Sequence, residues 1–235
     1  MKERFRSASS KFARDTYDKI NVGDLSKVLT LGPYNTFHLL SDPKRVGFLM
    51  ARYKFVSKML ENHDHVLEIG CQEGLGSLIV AKAVKQLVAI DFYKPHIESC
   101  KERLSPFVPN IDFIWRDIIE GPVPGSFSGA FSLDVLEHID PKQENQYMRN
   151  VVSSLKKNGV FIVGTPSLES QKYASSESKA GHVNCKSGSE LRRFCEKYFN
   201  NVFMFGMNDE VLHTGFLPMA HYLFALCVQP KAIKR

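Results

Sequence analysis

A doubly wound α/β sheet is the fold class this chain predicts, on three observations. Short apolar runs that read as buried strands alternate with segments of helical periodicity through the middle of the sequence. The first such run, His65–Gly70, ends in glycine and leads directly into a helical pattern. The 235 residues are 43% hydrophobic and 24% charged, the balance of an ordinary globular chain with enough apolar material for one sizeable core.

The elements follow in order. Asp42-Pro43 predicts a helix start, with the carboxylate as cap and proline at the first helical position; Val46, Phe48, Leu49, Tyr53, Val56 and Leu60 recur at helical spacing behind it. His65–Gly70 predicts the first strand and Gly74–Lys85 a helix. Leu87–Asp91 predicts the second strand, His96–Leu104 a helix, Ile111–Trp115 the third strand and Gly129–Asp134 the fourth. A helix capped by Asp140, with Pro141 in its first turn, runs through Tyr147, Val151, Val152 and Leu155 and closes at Lys157-Asn158-Gly159. Val160–Gly164 predicts the fifth strand. Thr165–Lys186 is serine-rich and aperiodic, longer than a usual connection, and predicts a lid or substrate loop. Ser187-Gly-Ser-Glu190 is a capping box that opens the helix Glu190–Phe199. Asn201–Gly206 and His221–Val228 predict the last two strands, joined by the irregular segment Met207–Ala220.

Composition excludes several classes. No apolar run approaches the ~18 residues a membrane span needs. The first 15 residues are charged and lack the apolar core of a secretory leader, which places the expected location in the cytoplasm. Five cysteines without a CxxC pair predict reduced thiols. The net charge of +6 is dispersed apart from mild basic clusters in the first 14 residues and at Lys231–Arg235, so no basic stripe predicts a nucleic-acid partner.

In parallel sheets ligands bind at the carboxyl ends of the strands, and the stretch Val66–Ser77 lies at such an end. Gly70 and Gly74 would let the backbone approach a ligand, and the following helix offers unpaired N–H groups. Asp91 ends the second strand 21 residues after Gly70, the spacing at which a carboxylate bridges the two hydroxyls of a ribose. Gln72 and Leu75 stand where a dinucleotide fingerprint requires glycine, which disfavours a nicotinamide-dependent oxidoreductase.

What remains is Glu68-x-Gly70-x-Gln72-x-Gly74. With Ile90-Asp91-Phe92, Arg116-Asp117-Ile118, Leu133–Ile139 and Leu155–Ser167, it resembles the class I S-adenosylmethionine-dependent methyltransferases over about Leu60–Val228. The resemblance implies a Rossmann-like sheet of seven strands, mostly parallel with the last antiparallel, in a methyltransferase domain at 43–235 behind an N-terminal cap at 1–42. It implies S-adenosylmethionine as cofactor. Glu68, Gly70 and Gly74 would line its methionine and ribose side, with Cys71 and Gln72 in the same turn. Asp91 would hold the ribose hydroxyls beside Phe92, Asp117 the adenine amino group, Ile118 the ring, and the backbone at Asp134 the methionine moiety. The family has glycine where this chain has Gln72.

Methyl transfer to a hydroxyl also moves a proton, and histidine is the natural acceptor near neutral pH. His182, in the aperiodic loop, ranks first, followed by His138 and His213; Asp134, Glu137, Asp209 and Glu210 lie on the same loops. Asp134, Glu137 and His138 with a downstream histidine resemble the metal-binding set of certain small-RNA ribose methyltransferases and ubiquinone-pathway O-methyltransferases. The reading preferred here assigns no metal ligand. The extra segments are sized for a small-molecule acceptor, a sugar (nucleotide-linked or not) or a phenol; the alternatives are an RNA ribose 2′-O-methyltransferase and a non-catalytic cofactor-binding scaffold.

Overall fold

The computed structural model describes residues 8–19 and 28–232. The basic N-terminal stretch up to residue 7 and the end of the basic C-terminal cluster, 233–235, lie outside them. Helix α1 (Ala8–Lys19) belongs to a unit that ends at Thr30; a second unit begins at Leu31 and carries everything that follows.

In the second unit, β1 (His65–Ile69), β2 (Gln86–Asp91), β3 (Ile111–Trp115), β4 (Phe127–Leu133) and β5 (Leu155–Pro166) run parallel in the order β3-β2-β1-β4-β5. On the far side of β5, β8 (Tyr222–Pro230) lies antiparallel between β5 and β6 (Phe199–Asn208). The strands alternate their side chains between two cores. Leu67, Val88 and Ile90 face the layer of Tyr147, Phe161 and Phe199, whereas Val66, Leu87 and Ala89 face that of Tyr53, Val56 and Phe224. A strand covered on both faces must be apolar throughout, which is why these segments were legible as short continuous runs. Among the described residues no helix is long and apolar enough to cross a membrane.

The sheet has eight strands rather than seven. Val211–His213 (β7) folds back on β6 as a hairpin, with Gly206 opposite His213 and Asn208 opposite Val211. The reversal takes two residues because Asp209 adopts φ +51°, a conformation aspartate tolerates in a tight turn. Asp42 does not open a helix. Its N–H bonds to the His38 carbonyl and closes α2 (Pro33–Ser41), while α3 (Lys44–Met59) begins after Pro43 without a side-chain cap. The helix expected over 74–85 is one short turn, α4 (Ser77–Ala81), because residues 70–76 are spent in the ligand turn. Asp140 likewise makes a turn with the Lys142 N–H ahead of α6 (Glu144–Ser154), and Lys157-Asn158-Gly159 lies within β5 instead of ending the helix. The helix over 96–104 is α5 (Lys94–Arg103). The aperiodic segment holds a 3-10 turn at Glu169–Tyr173 and α7 (Ser176–Gly181). The capping box is formed as expected: Ser187 Oγ accepts from the Glu190 N–H, and Glu190 Oε2 accepts from the Ser187 N–H at 2.8 Å, opening α8 (Gly188–Glu196).

Candidate active site

The turn after β1 is held by the neighbouring strand. The N–H groups of Gly70 and Cys71 both bond to the Ile90 carbonyl, at 2.8 and 3.1 Å. Gly70 and Gly74 have φ +81° and +72°, and a Cβ on Gly70 would stand 2.3 Å from Val135 Cγ2. Both conformation and space therefore demand glycine at 70. Gln72 also takes a positive φ, +48°, a left-handed conformation that favours glycine, while carrying a side chain. Asp91, 5% exposed, fixes the turn from β2: Oδ2 accepts the Gln72 N–H and Oδ1 the Tyr93 N–H, each at 2.9 Å. A carboxylate oxygen has a second lone pair, so this bracing leaves capacity for ribose hydroxyls.

A cavity of about 870 Å³ opens at the carboxyl ends of β1, β2 and β4, within the range of small-molecule sites. Gly70, Cys71, Gln72, Gly74, Asp91, Phe92, Asp117, Ile118 and Asp134 border it. Glu68 does not. It is 1% exposed beneath the turn, where Tyr53 Oη donates to Oε1 at 2.8 Å and ties α3 to β1. Burial pushes its carboxyl up to about 7. Contact with the Cys100 thiol, and then burial, push the Cys71 thiol well above its ordinary range, which fits packing and not nucleophilic chemistry.

At the other end of the cavity the chain after β4 gathers the ionisable groups. Asp134 sits at φ +56°, and Arg52 Nη1 reaches both its oxygens, at 3.0 and 2.9 Å, with the guanidinium stacked 3.8 Å over the Tyr222 ring. Glu137 is fully buried. Thr165 Oγ1 donates to its Oε2 at 3.0 Å, and Oε1 has no hydrogen-bond partner among the described residues. Burial and then the nearby Asp134 charge push its carboxyl up to about 8.

His138 and His182 meet edge to face with ring centroids 5.1 Å apart. His138 Nδ1 lies 2.9 Å from the Gly181 carbonyl, and His182 Nδ1 lies 2.8 Å from Gln171 Oε1. Gln171 Nε2 donates to the Ser167 carbonyl, which fixes the amide with its oxygen toward the imidazole. Both partners are acceptors, so each Nδ1 carries a hydrogen, and in the neutral ring it is Nε2 that keeps the lone pair. Burial, followed by the unfavourable proximity of the His138 imidazole, lowers the His182 pKa below its ordinary value. The loop bearing His182 is fastened to the residue beside it in this cluster, since the Val183 and Asn184 N–H groups both bond to the Glu137 carbonyl.

One ligand atom each from Glu137, His138 and His182 lies within 4.8 Å of the others. With the unpartnered Glu137 Oε1, this set fits a divalent cation: one carboxylate oxygen and two imidazole nitrogens with free lone pairs. The sequence resemblance sets Asp134 beside these three, but its carboxylate is engaged by Arg52 instead. His213 is not brought to the cavity. It lies on β7 against Gly206, with Nδ1 accepting the Gly215 N–H at 3.2 Å. Arg52 is the residue that the sequence reading missed; it lies 82 positions from its partner, and no local pattern in α3 marks it.

Comparison with known proteins agrees with this architecture. Residues 66–159 match the family described as "Methyltransferase domain". A Mycobacterium tuberculosis protein described as "Probable S-adenosylmethionine-dependent methyltransferase" is 26% identical over 102 residues, which are 43% of this chain and 35% of that one. A ubiquinone biosynthesis O-methyltransferase of Rickettsia canadensis is 25% identical over 138 residues, 57% of this chain and 55% of its own length. The chain thus spans between about a third and about half of these curated relatives. The N-methyltransferase NodS from Bradyrhizobium japonicum, in complex with S-adenosyl-l-homocysteine, superposes with a TM-score of 0.63 at 19% identity, covering 83% of this chain and 91% of NodS. The glycine turn and Asp91 both lie inside the matched stretch, so it is over residues 66–159 that the chain is similar to a methyltransferase domain.

Proposed function

We propose that the chain transfers the methyl group of S-adenosylmethionine to a hydroxyl of a small-molecule acceptor, a sugar or a phenol. The observation that carries this reading is the pair of imidazoles, each with Nδ1 committed to an oxygen and Nε2 free, bordering the same cavity as the glycine turn. In the transfer the acceptor oxygen's electron pair forms the new C–O bond, the C–S bond breaks with its pair returning to sulfur, and the hydroxyl proton leaves. Alignment of donor and acceptor in such a cavity is worth ~7–11 kcal/mol in favourable cases. His182, neutral because burial lowers its pKa, takes the proton on Nε2, and Gln171 holds the ring in the tautomer this requires. The name of the Rickettsia relative supports an oxygen acceptor.

Glu137, His138 and His182 are also the residues that would hold a divalent cation. Such an ion, when bound, lowers the pKa of a hydroxyl that coordinates it. Incubation with labelled cofactor and a panel of sugars, phenols and RNA, with and without excess chelator, tests the proposal. Label on a small hydroxyl compound supports it, and label on RNA alone overturns it. Full turnover in chelator assigns the proton to His182; loss restored by added divalent metal assigns the three residues to the cation.

A further inference from the structure

We infer that Glu73 is a positioning residue that fastens α2 over the cofactor cavity, so that α2 is a lid whose release admits and discharges the cofactor. The inference rests on the reading of the cavity as the cofactor site. Glu73 lies in the glycine turn itself and is only 4% exposed, although nothing in the turn's own geometry requires a carboxylate there. Its Oε1 accepts the Tyr34 N–H, and its Oε2 accepts both the N–H and the side-chain amide of Asn35, all at 2.9 Å. A negative group therefore meets the free N–H groups at the start of α2, where charge-assisted bonds and the helix dipole act together. Gly32 makes the approach possible, since a Cβ there would stand 2.2 Å from the Glu73 carboxyl carbon. From behind, Arg103 Nη2 donates to the Glu73 carbonyl at 2.9 Å and pins the backbone that carries the latch.

The other attachments of α2 are weak. The one buried residue of the helix is Asn35, the latch partner; Phe37 and Leu40 are 64% and 80% exposed. A segment held by polar contacts with no buried apolar side chain opens at low cost. Yet Tyr34, Asn35 and His38 border the same cavity as Gln72 and Asp91, the residues expected on the ribose side. A single side chain thus links the lid to the turn that grips the cofactor.

The test compares wild type, Glu73→Gln and Gly32→Ala. The glutamine cannot accept three N–H bonds as a carboxylate does, and the alanine displaces the carboxylate without altering it. Hydrogen exchange of the α2 amides in cofactor-free protein is expected to accelerate at least tenfold in both variants, and S-adenosylhomocysteine is expected to dissociate at least tenfold faster by stopped flow. Unchanged α2 exchange in both variants, or faster exchange with unchanged dissociation, overturns the inference. If Glu73→Gln does not fold, Gly32→Ala alone decides. Wild type that binds no S-adenosylhomocysteine by calorimetry fails the reading of the cavity before any variant is compared, and unchanged α2 exchange fails the latch separately.

Discussion

Arg52 of α3 and Asp134 at the end of β4 form an ion pair in which Nη1 lies 3.0 and 2.9 Å from the two carboxylate oxygens. The pair clasps α3 to the carboxyl end of the sheet and holds Asp134 in its left-handed conformation beside the buried Glu137. Arg52→Met leaves that carboxylate without its cation. A charged hydrogen-bonded group stranded this way costs about 1–3 kcal/mol, in the lower part of the buried range because the two side chains are 22% and 33% exposed. The expected result is a lower urea midpoint, recovered in part by adding Asp134→Asn. An unchanged midpoint in the single variant would show that the pair contributes nothing.

Asp91 braces the turn and faces the cavity, so its loss should strike cofactor binding twice. Asp91→Ala removes the acceptors of the Gln72 and Tyr93 N–H groups together with the expected ribose contact. Affinity for S-adenosylhomocysteine is expected to fall by tenfold to a hundredfold by calorimetry, the equivalent of roughly one or two charge-assisted hydrogen bonds. Affinity within a factor of two of wild type would dissociate Asp91 from the cofactor.

His182→Ala separates binding from chemistry. Removing a general base costs roughly 100- to 10,000-fold in turnover. S-adenosylhomocysteine affinity should remain, because Asp91 and the glycine turn are untouched. Gln171→Leu should lower turnover less, since the imidazole stays but its tautomer is no longer fixed. Turnover equal to wild type in His182→Ala would remove this residue from the reaction.

How much of this was legible in the sequence follows from which interactions are local. The central parallel strands could be read because they are buried on both faces, as Val66 and Leu67 show by entering different cores, and the edge strand β3 because it stays apolar even where Ile114 and Trp115 are exposed. The glycine turn could be read because two residues with positive φ leave a mark in composition. The two aspartates before prolines misled: Asp-Pro suits a helix start, yet Asp42 ends α2 and Asp140 makes a turn four residues ahead of α6. Nothing local separates those uses. Nor does anything in α3 announce that Arg52 pairs across the fold, or anything near Glu73 that α2 rests on it. The convergence of Glu137 and His138 with His182 depends on the path of the loop through α7, which no periodicity encodes.

Glu68 makes the stability of the protein depend on pH in a defined direction. Its carboxyl rises from an ordinary 4.5 to about 7 in the fold, because burial disfavours the charged form. The folded state therefore binds more protons than the unfolded chain between those values. The contribution is fully present below about 4.5, declines by about 1.4 kcal/mol per pH unit through the window, and is lost above about 7. Glu68→Gln stays neutral throughout and keeps an acceptor for the Tyr53 hydroxyl. Urea midpoints measured from pH 5 to pH 8.5 should show the variant gaining on wild type as pH rises to about 7, with a constant gap thereafter. Comparing the two proteins cancels the titration of every group that the substitution leaves unchanged. A gap that does not vary with pH would mean that Glu68 is ionised in the fold, and the Tyr53 contact would then have to be read as a bond to a carboxylate.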